Sequence, residues 1–170
     1  MDTIPHTLLH GSRSKHLDRL SSSHGLEQAP FGPALYLTED SEVARSYTGQ
    51  SGGIYAVELA GNSQLTIPMN GTWKDLSVDA RLAIQRLFKA AHMPMPVEAQ
   101  TARSILDSVC PVLGLRKRNA FLSSQGIWML YGHIDASENA DLSDQGVHYA
   151  LISDTVIISQ QHWESECVAV

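Results

Sequence analysis

The sequence has few cysteines, no excess of basic residues and no long apolar run. Its two cysteines, Cys110 and Cys167, lack zinc-type spacing, and in a chain of 170 residues they favour reduced thiols over a structural disulfide. The 12 basic residues are outnumbered by 18 acidic ones, so the net charge of −6 offers no general attraction for nucleic acid or an anionic membrane. No apolar run approaches the ~20 residues that a membrane helix needs. We therefore expect a cytoplasmic protein with no membrane partner, and nucleic acid is disfavoured as a partner.

The common cofactor and metal motifs are also missing. There is no G-x-G-x-x-G after a strand and no phosphate-binding G-x-x-x-x-G-K loop, which removes the usual support for a Rossmann fold or a P-loop enzyme. H-E-x-x-H and paired C-x-x-C spacings are absent, so we expect no metal. No nucleophile elbow indicates a Ser-His-Asp triad. The basic run from Arg116 to Arg118 is typical of a solvated helix start.

The composition supports one globular domain that mixes strands and helices. With 43% hydrophobic residues the chain can bury a core unaided, and we expect a single domain over residues 1–170. Short apolar runs predict strands around residues 7–9, 34–37, 54–59, 65–67, 127–131, 147–152 and 155–158. Apolar spacing, caps and prolines predict three helices within residues 72–124. The predicted fold class is therefore α+β, with a helical insertion between two sheet halves.

Serine residues mark two candidate helix starts. Ser14 is placed to cap a short helix that carries Leu17 and Leu20 on one face. Ser77 is placed to cap the first helix of the insertion. Both assignments are local, because they use only the cap residue and the apolar spacing that follows it.

Turn residues predict two connections. The segment Ala60-Gly61-Asn62 predicts a turn that joins the strands 54–59 and 65–67 as a hairpin-like unit. The polar loop 132–146 is about 15 residues long, near the upper limit for a connection without regular structure. We therefore regard that loop as a functional candidate.

The stretch from Leu8 to Tyr47 contains the parts of a pocket for a flat aromatic amide. An apolar pair leads into His10-Gly11-Ser12, and a loop at 25–33 leads into a short strand that contains Tyr36. Two aromatic faces can hold a flat cationic ring, and a backbone donor and acceptor can satisfy its buried amide. Taken singly, each of these residues is also compatible with a structural role, as a core histidine, a core tyrosine or a turn glycine.

Three blocks of this sequence agree together with one known pattern: Leu9-His10-Gly11-Ser12-Arg13, Phe31-Gly32-Pro33-Ala34-Leu35-Tyr36-Leu37-Thr38 and Ala44-Arg45-Ser46-Tyr47. In order, and in the spacing of the two tyrosines, this pattern resembles ADP-ribosyltransferases of the poly(ADP-ribose) polymerase and diphtheria-toxin branch, which carry a His-Tyr-Glu signature. The resemblance covers about a quarter of the chain. It implies small sheets split around an NAD cleft, with the helical insertion at about 72–124.

The resemblance assigns NAD-binding positions to His10, Gly11, Ser12, Tyr36, Ala44 and Tyr47. His10 would bind the ribose hydroxyl on the adenosine side, and the Gly11 backbone would pair with the nicotinamide amide. Ser12 would support that turn or reach the adenine-side ribose. Tyr47 would stack on the nicotinamide ring, and Tyr36 would close the other side. NAD would be a co-substrate, with no metal.

The third part of the signature differs in this chain. The family strand that begins with Glu is best matched by His148-Tyr149-Ala150-Leu151-Ile152, which places His148 at the glutamate position. Cleavage of the nicotinamide–ribose bond passes through an oxocarbenium-like species that an acidic group would stabilise. Asp144 and Gln145 in the preceding loop are candidates to supply a carboxylate or to orient an acceptor, and an ordinary polar turn is the alternative. The predicted catalytic set is His10, Tyr36, Asp144, Gln145 and His148.

The resemblance implies a mono-ADP-ribosyltransferase that acts on a macromolecular acceptor, such as a host protein modified by a toxin, bacterial effector or phage protein. Two alternatives stay open. One is a catalytically degenerate domain that works as a protein-binding module; the other is an RNA 2′-phosphotransferase-like enzyme, which the negative net charge disfavours. We expect acceptor specificity to lie in residues 72–124 and in the loop 132–146.

Overall fold

The computed structural model describes residues 4–15, 17, 19–26, 28–96, 100–134 and 146–163. Within these ranges the regular elements are β1 (Thr7–Ser12), β2 (Leu35–Thr38), α1 (Ser41–Ser46), β3 (Gly53–Leu59), β4 (Thr66–Pro68), α2 (Val78–Ala90), α3 (Ala102–Asp107), α4 (Cys110–Ser124), β5 (Met129–His133), β6 (Val147–Leu151) and β7 (Ile157–Trp163). The predicted α+β class is confirmed. Among the described residues, no helix has the length and apolar character needed to span a bilayer.

The seven strands form one sheet in the order β4-β5-β6-β2-β1-β3-β7. All neighbouring strands are antiparallel except β4 and β5, which are parallel. The resemblance implied two small sheets, whereas β1 and β2 join the two halves through the register pair Leu9–Thr38. The join is narrow. Among the described residues β1 and β2 share this one register pair, whereas β1 pairs with β3 over six residues from Thr7 to Ser12.

Two apolar cores cover the two faces of the sheet. Alternating side chains of β6 point to opposite faces, so Ala150 joins one core and Tyr149 the other. The first core lies under helices α2, α3 and α4, and includes Leu87, Phe88 and Leu106. The three helices therefore pack on one face of the sheet.

Helix α2 confirms that Ser77 caps the first of the three predicted helices. The Ser77 hydroxyl accepts a hydrogen bond from the Ala80 backbone N–H at 3.0 Å, as an N-cap does. The third predicted helix extends further than expected, since α4 begins at Cys110 with Pro111 in its first turn. Gly114, with φ of 77°, has non-helical backbone angles and kinks the helix at that residue.

The predicted helix after Ser14 is wrong, because the described residues of the segment 13–20 are not helical. The Leu17 N–H donates to the Tyr55 hydroxyl at 3.1 Å, and the Leu20 N–H donates to Gln160 Oε1 at 2.7 Å. These side chains satisfy the backbone N–H groups that a helix would have paired internally. Partners far along the chain thus replace local hydrogen bonds in this segment.

The predicted hairpin between residues 54–59 and 65–67 is also wrong. Strand β3 lies between β1 and β7, whereas β4 lies at the opposite edge of the sheet beside β5. The intervening turn forms as a short 3-10 segment, Ser63–Leu65, capped by Asn62. The regular turn therefore lies three residues later than the predicted Ala60-Gly61-Asn62, and it does not bring the two strands together.

Candidate functional site

The candidate site is centred on the part of the β1–β2 interface beyond the pair Leu9–Thr38, where Gly11 lies opposite Tyr36. We call this part of the interface the seam. The carbonyl of Tyr36 points toward β1, because it accepts a hydrogen bond of 2.8 Å from Nδ1 of His10. Backbone groups of residues two apart along a strand point to the same side, so those of Thr38 also point toward β1, where they meet Leu9. Leu9 and Thr38 form the last register pair before the seam.

Gly11 follows Leu9 by two residues, so its N–H and C=O also point toward β2. A continuing ladder would pair Gly11 with Tyr36, but the register of the described strands ends at Leu9–Thr38. The His10 ring occupies the Tyr36 carbonyl instead. The seam therefore presents a backbone donor and an acceptor of the same residue side by side, which matches the two polar groups of a primary amide.

Helix α1 forms one wall of the seam. A Cβ added to Gly11 would lie 1.8 Å from the Ala44 carbonyl oxygen and 3.1 Å from Cβ of Tyr47, so the glycine is in close contact with the end of the helix. The helix is fixed at its other end by Asp40, whose Oδ1 accepts from the Glu42 N–H at 2.7 Å. Gly11, Ala44 and Tyr47, which are distant in sequence, thus come together.

Tyr47 ends α1 and is half-buried. Burial raises the pKa of its hydroxyl to about 12, so the phenol is neutral at physiological pH. A neutral aromatic ring beside a backbone amide site can stack on a flat heterocycle, and its π face attracts a cation.

His10 is held in a defined protonation state. Its Nδ1 lies 2.8 Å from a carbonyl oxygen that can only accept, so Nδ1 carries the proton and Nε2 has a free lone pair in the neutral ring. Burial lowers the pKa of His10, and the hydrogen bond to the Tyr36 carbonyl opposes that effect. His10 is therefore neutral near pH 7 and can accept a hydrogen bond from a hydroxyl group.

His10 and Ser12 line a cavity of about 300 Å³, together with Arg19 and Ser21. Apolar walls come from Leu17, Leu20, Ala34 and Leu35. The Ser12 hydroxyl accepts from the Ser14 N–H at 3.1 Å and so supports the turn after β1. The cavity combines apolar surface with hydroxyl groups, an imidazole and one cation, a mixture suited to a nucleoside with an attached phosphate.

Tyr36 has a structural contact that the sequence did not reveal. Its hydroxyl donates to the Gly32 carbonyl and accepts from the Phe31 N–H, both at 2.8 Å. The ring packs against the core under the helices, and burial raises the pKa of the hydroxyl. Tyr36 therefore anchors the loop before β2, in addition to supplying the carbonyl that holds His10.

His148 lies on β6, the strand beside β2, and is 2% exposed. It faces Thr38 across the strand pair, and Thr38 in turn faces Leu9, so the three residues form a row across the sheet. At ~4.8 Å per strand, His148 is about 10 Å from Leu9. Cross-strand partners share a face, so His148 lies on the same face as Gly11, whereas His10 and Ser12 alternate to the other.

Asp144 and Gln145 lie outside the described residues, as does most of the loop 132–146. The structure thus brings together His10, Gly11, Ala44 and Tyr47, adds Ser12 in the adjoining cavity, and places Tyr36 and His148 on the next two strands. The site extends across the seam from one face of the sheet to the other.

Sequence reasoning missed Arg118 and Asn119 on α4. The basic run was predicted to be solvated, but the Arg118 side chain has no exposed surface and Asn119 is 3% exposed. Both hydrogen-bond to the loop before β2. One signal was present: Arg118 is four residues before the apolar Leu122, which places both on the same helix face.

Comparisons with protein-family models, with curated proteins and with solved structures found no match.

Proposed function

We propose that this protein is an NAD-dependent ADP-ribosyltransferase that cleaves the nicotinamide–ribose bond and transfers one ADP-ribose to a macromolecular acceptor, which is a protein and not a nucleic acid. The fold would be an ADP-ribosyltransferase-like arrangement of strands around the seam. The protein would act in a cytoplasm, and in a host cytoplasm if it is a toxin, an effector or a phage protein.

The seam between β1 and β2 is the observation that carries the proposal. Nicotinamide has a flat cationic ring and a primary amide when it is part of NAD. The Gly11 backbone offers one donor and one acceptor to that amide. Tyr47, which lies next to Gly11, offers an aromatic face. A site of this kind binds an amide-bearing aromatic ring without any charged side chain.

The two faces of the seam suit the two halves of NAD. The nicotinamide would lie on the Gly11 and Tyr47 side. The adenosine half would extend toward the cavity, where the unprotonated Nε2 of His10 can accept a hydrogen bond from a ribose hydroxyl. A dinucleotide long enough to span the seam would therefore contact both Gly11 and His10, which face opposite sides of the sheet as consecutive strand residues do.

The reaction follows from the charge on the ring. When the bond between ribose C1′ and the ring nitrogen breaks, the bonding electron pair stays on that nitrogen and neutral nicotinamide leaves. Positive charge then develops on the ribose as an oxocarbenium-like species. A nucleophilic atom of the acceptor forms the new bond to C1′, and its proton passes to water or to a base. His148 is positioned on the Gly11 face, where it would hydrogen-bond a ribose hydroxyl.

One observation favours a second candidate function. His148 occupies the position at which the resembled family has glutamate, so a fixed carboxylate is missing from β6. A domain that binds NAD or a protein partner without turnover would retain the seam and lack that charge. NAD binding without nicotinamide release would identify this binding module.

The deciding experiment incubates the purified protein with NAD labelled in its adenosine half and with a cell extract. Nicotinamide release and a protein whose mass increases by one ADP-ribose would support the proposal. Label on RNA alone would show that the acceptor is wrong. The enzyme proposal fails if neither nicotinamide nor a labelled acceptor forms.

Matched histidine variants connect the activity to the site. We expect His10→Ala to raise the KM for NAD about tenfold or more, the effect of losing one hydrogen bond to the substrate. His133→Ala removes an exposed histidine from β5 and serves as the control. Equal KM values for the two variants would show that the reaction, if present, does not use the cavity beside His10.

A further inference from the structure

Two adjacent buried side chains of α4 hold the loop that precedes β2. Nη2 of Arg118 donates to the Phe31 carbonyl at 2.8 Å. Nδ2 of Asn119 donates to the same carbonyl at 2.9 Å and to the Pro33 carbonyl at 3.1 Å. Three hydrogen bonds from one helix face therefore converge on two backbone carbonyls of the loop 31–33.

The guanidinium of Arg118 is itself fixed from a third direction. Its Nη1 donates to Oδ1 of Asp107 on α3 at 3.0 Å, and its Nε donates to Oδ1 of Asn119 at 3.1 Å. A guanidinium is planar, so partners on Nε, Nη1 and Nη2 determine its position and its orientation. Burial of such a cation is costly unless it is paired and hydrogen-bonded, and here Asp107 pairs with it and each of its three nitrogens has a hydrogen-bond partner.

Hydrogen bonds connect this loop to the seam. The Gly32 carbonyl accepts from the Tyr36 hydroxyl at 2.8 Å, and the Tyr36 carbonyl accepts from His10 Nδ1 at 2.8 Å. Gly32 has φ of +82°, and a Cβ there would lie 2.8 Å from Nδ2 of Asn119. A continuous series of contacts thus leads from the helices to His10.

We infer that Arg118 and Asn119 are positioning residues, which act through the loop 31–33 and Tyr36 to keep His10 in the Nδ1–H form with Nε2 available in the cavity. The helical insertion would then serve the site directly, in addition to any part in acceptor recognition. The inference deepens the proposed function and rests on it for NAD, but the state of the His10 ring can be measured without NAD.

The test compares Asn119→Ala with Lys117→Ala, an exposed neighbour on the same helix. Nitrogen-15 spectra of the imidazole rings report the tautomer, and a His10→Gln protein assigns the His10 signals. We expect Nδ1–H in the wild type and in Lys117→Ala, and a mixture with Nε2–H in Asn119→Ala. If NAD is the substrate, the KM of Asn119→Ala rises about tenfold while kcat changes less.

A second variant covers the case in which Asn119→Ala does not fold. Asp107 is 46% exposed, so Asp107→Asn loosens Arg118 without removing a core side chain. Folded Asn119→Ala or Asp107→Asn protein that retains the wild-type His10 tautomer would overturn the inference. If the wild type neither binds nor cleaves NAD, the proposed function fails, and the tautomer comparison still decides the positioning role.

Discussion

Gly11 is the residue with the least room for change. A Cβ at this position would lie 1.8 Å from the Ala44 carbonyl oxygen, which is backbone and cannot rotate away. We expect Gly11→Ala to destabilise the fold by about 1–3 kcal/mol through overpacking and to abolish NAD binding, because β1 and α1 must move apart. Urea denaturation and calorimetric titration with NAD measure the two effects.

Gly71→Ala is the control for that change. Its added Cβ would lie 3.3 Å from Cβ of Asp75 and 3.3 Å from the Pro68 carbonyl oxygen, tight contacts that a shift of a few tenths of an ångström relieves, unlike the 1.8 Å overlap at Gly11. We expect nearly wild-type stability and NAD binding. A Gly11→Ala protein that binds NAD like the wild type would contradict the assignment of the seam as the nicotinamide site.

His10 predicts a pH dependence with a definite sign. Burial lowers its pKa below the ordinary value of 6.5, so the unfolded chain binds more protons than the folded one between the two pKa values. Stability is therefore complete above pH 6.5 and declines as the pH falls through the folded pKa. NAD affinity declines over the same range, because a protonated Nε2 can no longer accept.

The measurement compares wild type with His10→Asn from about pH 8 to about pH 5, the range in which histidine titrates. The difference in unfolding free energy between the two proteins isolates the contribution of His10 from those of the other histidines. We expect that difference to shrink toward low pH. A constant difference would show that His10 titrates normally.

At the scale of single residues, candidate site positions could be named from the sequence, whereas the burial of Arg118 could not. The resemblance named His10, Gly11, Ala44 and Tyr47 as one set, and Gly11 does lie against Ala44 and Tyr47 because β1 packs on α1. Arg118 was missed because a charged side chain is almost always exposed unless specific partners compensate it. Its partners, the Phe31 carbonyl and Asp107, belong to other elements and are invisible in the local sequence.

At the scale of elements, the segment after β1 depends on distant partners. The Tyr55 hydroxyl accepts from the Leu17 N–H and donates to the Ser14 carbonyl, each at 3.1 Å. We expect Tyr55→Phe to lower the unfolding free energy by about 1–2 kcal/mol, since each net hydrogen bond contributes about 1 kcal/mol. Hydrogen exchange at the Leu17 amide should become faster, because its acceptor is lost.

The same variant tests whether this segment forms the cavity wall. Leu17 lines the cavity beside His10, so a loosened segment should raise the KM for NAD while the tryptophan environment of the core stays unchanged. Slow exchange at Leu17 in Tyr55→Phe would show that the hydroxyl contacts do not hold the segment.

Local signals explain which elements were predictable. Helix α2 has a capping serine and helical apolar spacing, and both features lie within the helix itself. The segment 13–20 has a similar serine and two leucines, but Tyr55 and Gln160 take its backbone N–H groups. Tertiary contacts at Leu17 and Leu20 replace the helical hydrogen bonds that the local pattern predicts, and no short window of sequence contains those contacts.

At the scale of the whole molecule, strand pairing was the least predictable property. The α+β class followed from the alternation of patterns, but the parallel pairing of β4 with β5 did not. Those strands are separated by all three helices of the insertion, and apolar periodicity shows which face a strand buries without showing its neighbour. The central join at Leu9–Thr38 was hidden for the same reason.

The shared sheet predicts that both cores unfold together. Leu87 of α2 is fully buried in the core under the helices, whereas Trp128 is buried in the core on the opposite face. We expect Leu87→Ala to lower the unfolding free energy by about 2–5 kcal/mol through the cavity it leaves. Because β2 and β6 contribute side chains to both cores, Trp128 fluorescence and helical circular dichroism should report the same transition.

Proteins that retain only Trp128, through Trp73→Phe and Trp163→Phe, make this comparison direct. Coincident midpoints in urea, displaced equally by Leu87→Ala, are the signature of one cooperative domain. A Leu87→Ala protein whose circular dichroism midpoint falls while its Trp128 midpoint does not would instead show that the cores on the two faces of the sheet unfold separately. In that case the strands that both cores share, β2 and β6, do not couple them, and NAD binding should couple their stabilities, since the proposed ligand contacts both faces.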